Sequence, residues 1–218
     1  MSATPYYSDE FVTLYHGDCL EVDAWLEADV LVTDPPYGIA YCSGSKRIDI
    51  ARSIEGDADT AARDDALAQW GERPALVFGT WRVQRPEGTR SRLIWDTKGA
   101  LGMGDLSIPW KPSDQEIYVL GAGFSGPRTT NVLSFAPVQS IASNGRVHPH
   151  QKPTDLLGAL IVKCPAGTVA DPFAGSGSTL VAAKRLGRMA IGVELDERYC
   201  EIAAKRLAQG VLDFGSVS

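Results

Sequence analysis

Residues 34–37 read Asp34-Pro35-Pro36-Tyr37, and residues 171–179 open with Asp171, Phe173, Ala174, Gly175, Ser176 and Gly177. The first group suits the activation of an amine. An exocyclic amino group on an aromatic base is a poor nucleophile, because its lone pair is delocalised into the ring. Two acceptors aimed at its two N–H groups would localise that pair: the Asp34 carboxylate and the Pro35 carbonyl. The nitrogen gains positive charge as it reacts, and a prepositioned carboxylate stabilises it. Pro35 and Pro36 restrict φ and hold the carbonyls in place. Tyr37 offers a ring against which a base could stack.

The second group suits a nucleotide-like cofactor. Glycines at 175 and 177 allow a tight turn and a close backbone approach. A following helix would present unpaired amides to an anionic group. Glu194 falls some twenty residues on, where an acidic residue commonly meets ribose hydroxyls. A dinucleotide fingerprint would need a third glycine at 180, which is Leu180, so that reading is disfavoured. A purely structural strand–helix turn is the plain alternative.

These residues need strands and helices to carry them. Apolar runs of strand length occur at 11–15, 29–33, 75–78, 92–95, 116–120, 168–171 and 189–193. Helical patterns occur at 60–71, 153–162, 178–186 and 196–208. Alternation of this kind predicts an α/β sheet. The carboxyl-terminal β-α-β-α run predicts parallel strands with right-handed crossovers. Asp196 is placed to cap the last helix, and Gly210 to stop it. Two stretches without periodicity, 38–56 and 121–151, are loops of a length that is usually functional or disordered, and the first directly follows the tetrapeptide.

The 218 residues fit a single domain, 1–218, with a substantial core. No apolar run approaches the ~20 residues of a membrane span, and the amino terminus lacks a signal-peptide pattern. A cytoplasmic protein without membrane association is expected. The four cysteines, at 19, 42, 164 and 200, form no C-x-x-C pair. His148 and His150 have no neighbouring ligand cluster, so no metal site is expected.

The net charge of −6 is unfavourable for a protein that grips phosphates. Its distribution is uneven. Residues 80–163 hold ten Lys/Arg against six Asp/Glu, net +4, which leaves −10 for the remainder. Lys46, Arg47 and Arg52 in the first loop could meet DNA phosphates, although Asp49, Glu55, Asp57 and Asp59 surround them. Arg128 and Arg146 in the second loop are the other candidate DNA contacts.

The order of the motifs, tetrapeptide first and glycine turn last, resembles the β-group of amino-DNA methyltransferases, whose motifs are circularly permuted. Other segments extend the resemblance over almost the whole chain: Tyr15 to Glu21, Leu93 to Lys98, His148 to Thr154, and Gly192 to Leu195. The resemblance implies a Rossmann-like fold with helices on both faces. Its seven-stranded sheet would have the order 3-2-1-4-5-7-6, with the last strand antiparallel. It implies S-adenosylmethionine as cofactor, and double-stranded DNA with a flipped-out base as substrate.

Carried over by position, Asp34 to Tyr37 are catalytic. Asp18, Cys19, Asp34, Lys152, Thr154, Asp171, Phe173, Ala174, Gly175, Ser176, Gly177, Glu194 and Leu195 bind the cofactor. Asp as first residue of the tetrapeptide implies the N6 amine of adenine; the alternative is the N4 amine of cytosine. A non-catalytic nucleic-acid-binding or nucleotide-binding remnant is the third reading. The resemblance makes 38–56 a flexible active-site loop and 121–151 a short target-recognition loop, which fits a short DNA site, or a homodimer in which a second subunit completes the surface. No residue pattern specifies a restriction endonuclease partner.

Overall fold

The computed structural model describes residues 4–37, 59–99, 104–138 and 151–209. Among these residues nine strands form one sheet: β1 (Tyr7–Ser8), β2 (Val12–His16), β3 (Val30–Thr33), β4 (Ala75–Gly79), β5 (Ser91–Asp96), β6 (Asp114–Leu120), β7 (Val132–Ser134), β8 (Val169–Asp171) and β9 (Ala190–Glu194). Four helices accompany them: α1 (Ala61–Trp70), α2 (Thr154–Ile161), α3 (Ser178–Arg185) and α4 (Glu197–Gln209). The order across the sheet is β1-β2-β9-β8-β3-β4-β6-β5-β7.

Counted from β8 in permuted order, the inner seven strands give the expected 3-2-1-4-5-7-6. The seventh, β6, runs antiparallel to both neighbours. The sheet is two strands wider than expected, because β1 and β7 extend its edges.

The strands at the centre are short and wholly buried because both faces are covered. In β3, Val30 and Val32 join the core beneath α2, α3 and α4, while Leu31 joins the core beneath α1. α2 buries Leu156, Leu157, Leu160 and Ile161, and α4 buries Cys200, Ala203 and Leu207, each along one helical face. Asp196 caps α4 as anticipated: its Oδ1 accepts the Arg198 amide at 2.9 Å. On the opposite face Trp25, from a single 3-10 turn at Ala24–Glu27, stacks on Trp70 of α1 at 5.8 Å.

Leu180 explains why the glycine turn departs from a dinucleotide pattern. It is fully buried against Gly192 of β9, where any Cβ would come within 2.6 Å of its methyl carbon. The space that a third glycine would give to helix–strand packing is supplied by the strand instead.

Candidate active site

The two motifs meet at the carboxyl edge of the sheet. β3 and β8 are parallel neighbours, with Val30 opposite Val169 and Leu31 opposite Ala170. The tetrapeptide and the glycine turn therefore leave adjacent strands side by side. A bond across 138 residues of sequence fastens them: the Thr33 hydroxyl donates to Asp171 Oδ1 at 2.7 Å.

Asp34 lies just beyond the end of β3 and is about one-quarter exposed. The Tyr37 hydroxyl donates to its Oδ1 at 2.6 Å, and the Lys152 ammonium donates to its Oδ2. Lys152 also reaches the Tyr37 hydroxyl at 3.2 Å and lies 5.0 Å from the centre of the Phe78 ring. Only 5% of the Lys152 side chain is exposed. The resemblance sets this ammonium against the cofactor; in the structure it is paired with the Asp34 carboxylate. Thr154, two residues on, opens α2, and its hydroxyl accepts from Arg185 at 3.2 Å.

Asp171 sits beneath the turn and is almost wholly buried. It also accepts the Phe173 amide at 3.2 Å and bonds Thr179. Burial pushes its carboxyl up to about 6, against the pull of Thr33, Thr179 and the Phe173 amide, and the nearby Asp34 charge adds to the rise. Its role is to tie β3, β8, the turn and α3 together.

Glu194, at the end of β9, divides its carboxylate. Oε2 accepts the Gly175 amide at 2.6 Å and Oε1 the Asp196 amide at 2.8 Å. Burial raises its proton affinity, and the amides oppose that rise. Each carboxylate oxygen retains a second lone pair, so Glu194 can shape the turn and still accept a hydroxyl. Ala174 donates to the Val193 carbonyl at 2.9 Å. On the outer side Arg206 of α4 donates to the Ser176 carbonyl, and to its hydroxyl at 3.0 Å.

Gly177 has φ +75, and an added Cβ would lie 2.9 Å from that of Ala203. Gly175 has φ +52, but no atom lies within 4 Å of the position its Cβ would take. The turn thus packs tightly on α4 at Gly177 and borders open space at Gly175, as a ligand cradle must.

Asp18 and Cys19 follow β2, whose His16 is paired with Glu194. Asp18 is exposed, and its Oδ1 accepts the Leu20 amide at 2.9 Å. Cys19 is buried; burial pushes its thiol up to about 12, and the charges of Asp18, Asp171 and Glu194 add to the effect. Half-buried Phe173 packs beneath the turn, and Leu195 is exposed with its carbonyl 3.1 Å from His16 Nε2. The structure therefore brings Asp18, Cys19, Glu194, Leu195 and the turn to one side of Asp34, with Lys152 on the other.

Of the candidate DNA contacts, Arg128 lies among the described residues. Lys46, Arg47 and Arg146 lie outside the described residues, as do His148 and His150. Arg128 is exposed in the loop between β6 and β7, near the amino edge of the sheet and away from Asp34. The neighbouring Pro127 carbonyl is held by Lys163, just past α2, at 2.7 Å. A cavity of about 580 Å³ near Tyr7, Phe11 and Lys184 is likewise remote from Asp34.

Comparison with known proteins gives this geometry its context. A family model of N6/N4 methyltransferases, described as DNA methylase, matches residues 84–205, more than half of the chain. The chain belongs to this DNA methylase family. YubD of Escherichia coli (strain K12) is 30% identical over 88% of each chain. The Type II methyltransferase M.ScaI of Streptomyces caespitosus is 26% identical over 93% of this chain and 83% of its own.

Among solved structures, M1.HpyAVI in complex with SAM superimposes with a TM-score of 0.64 at 20% identity, covering 90% of this chain and 98% of that one. The cytosine-N4-specific PvuII DNA methyltransferase reaches 0.68 at 16% identity, covering 99% and 91%. In the DNA methylase described here, no helix among the described residues is long and apolar enough to cross a membrane.

Proposed function

We propose that this DNA methylase transfers a methyl group from S-adenosylmethionine to the N6 amine of an adenine flipped out of double-stranded DNA. The observation that carries the reading is the Asp34 carboxylate, held by Tyr37 and Lys152 on the strand adjacent to the glycine turn. When bound, the cofactor would supply an electrophilic methyl carbon on a sulfonium, with the neutral thioether as leaving group. The open space at Gly175 and the remaining lone pairs of Glu194 suit its amino-acid and ribose parts.

The chain does the rest. The target atom is inaccessible inside a duplex, so the base is taken out of the stack. Its amine donates one N–H to Asp34, using a lone pair not taken by Tyr37 or Lys152, and the other to the Pro35 carbonyl. Nitrogen is then held toward the glycine turn with its lone pair free. Positive charge developing on nitrogen is stabilised by Asp34, and the departing proton passes along the same hydrogen bond. The carboxylate at position 34 supports adenine over cytosine.

Expression in a methylation-deficient host, followed by nucleoside analysis of its DNA, tests the reading. N6-methyladenine is expected, and Asp34→Ala should abolish it while calorimetry still shows S-adenosylmethionine binding. N4-methylcytosine would replace the adenine assignment. Loss of cofactor binding by the wild type would leave only a non-catalytic fold.

A further inference from the structure

We infer that Trp81 and Trp110 form the surface that grips the duplex around the extruded base. The inference rests on the DNA-methylating function proposed above. It moves the DNA-facing surface from the loop around Arg128 to two loops at the edge that carries Asp34.

Both tryptophans lie at that carboxyl edge. β4 ends at Gly79, and Trp81 follows in a turn closed by the Val83 amide on the Thr80 carbonyl. Phe78, whose ring faces Lys152, is three residues away, so the two Cα atoms are within roughly 10 Å. Trp110 precedes β6, whose Glu116 is in register with Gly79. Its loop is closed at the base: Gly104 packs on Pro112, and Thr97 donates both its amide and its hydroxyl to the Ser113 carbonyl at 2.8 Å.

The exposure is unusual. Trp81 is 73% exposed and Trp110 76%, with Leu106 and Ile108 also exposed beside the latter. Large apolar side chains left in water together at one edge mark a binding surface. The cations among them favour nucleic acid over a second copy of the chain. Arg82 lies 5.7 Å from the Trp81 ring, and exposed Lys111 follows Trp110. Lysine is depleted at the core of a protein interface, whereas single-stranded and unstacked DNA is held by cations interleaved with aromatic faces. A base leaving the helix vacates a stacking position that an indole can fill.

The test uses the full chain, tritiated S-adenosylmethionine and plasmid DNA from a methylation-deficient host. Trp81→Ala and Trp110→Ala should each raise KM for DNA about tenfold, the loss of one stacked base. kcat and the calorimetric affinity for S-adenosylmethionine should not change, and Trp81→Phe should restore most of the loss. The other three tryptophans, Trp25, Trp70 and Trp95, are buried. Quenching of tryptophan fluorescence by duplex DNA should therefore vanish in the double variant.

An unchanged KM and unchanged quenching in both alanine variants would overturn the inference. So would conversion of a dimer to a monomer with DNA affinity intact, which would make this face an interface between copies. Quenching is read without turnover, so the surface stands or falls separately from the proposed reaction.

Discussion

Removing either member of the Lys152–Asp34 pair should destabilise the protein, and unequally. Asp34→Asn leaves a lysine that is 5% exposed, with the Tyr37 hydroxyl, an uncharged amide and two aromatic rings as surroundings. Breaking a buried pair in this way costs about 3 kcal/mol. Lys152→Met leaves a carboxylate that is 24% exposed and keeps the Tyr37 hydroxyl. Water can reach it, so the cost falls toward that of one charge-assisted hydrogen bond, about 1.5 kcal/mol. The double variant has no stranded charge and should lose less than the sum, with a coupling of about 2 kcal/mol. Urea unfolding of the four proteins measures each value. Additivity within about 0.5 kcal/mol would refute the pairing. A larger loss for Lys152→Met than for Asp34→Asn would refute the argument from burial. Methyl transfer gives a second readout: Lys152→Met should lower kcat about tenfold, the kinetic equivalent of that hydrogen bond.

The two turn glycines should separate binding from folding. Gly177→Ala forces a methyl onto Ala203 and should cost about 2 kcal/mol of stability by urea unfolding. Gly175→Ala meets no atom, so its stability loss should stay near the ~1 kcal/mol of a left-handed alanine, while calorimetry shows cofactor affinity falling at least about tenfold as the methyl enters the cradle. Asp171 predicts a pH signature. Its folded value of about 6 exceeds the ordinary unfolded value of about 3.9. Its contribution is therefore complete below about pH 4 and is lost as pH rises through about 6. Relative to Asp171→Asn, the wild type should lose up to about 3 kcal/mol between pH 4 and 7. A flat difference across that window would show that Asp171 does not titrate there.

Much of the fold was legible because its centre is buried on both faces. Short, largely apolar runs such as Val30–Thr33 and Ala75–Gly79 have no exposed side to interrupt them. The edges were not. β1 has two residues and β7 three, with exposed positions in each, and such short alternations do not stand out from loop. The 3-10 turn that buries Trp25 is equally brief. In the site, the glycine turn and tetrapeptide were readable because local backbone demands dictate their residues. The lysine on Asp34 was not, because 118 residues separate the two and either could have found another partner. The resemblance singled out Lys152 for the cofactor, and its bond to Asp34 left no separate mark in the sequence. Trp81 and Trp110 went unremarked, since a sequence does not say which tryptophans are left in water.

The adjacency of β3 and β8 also bears on how the chain is made. β3 has left the ribosome long before β8 exists, so a fully buried strand waits with one side uncovered until β8 has been made. The same holds for β2, whose parallel partner β9 comes later still. Pairings this distant close large loops and slow folding. The site draws on both strands, so truncated products that lack β8 should be inactive and prone to associate through the exposed edge of β3. Cofactor that binds only the finished protein would draw the last step toward completion.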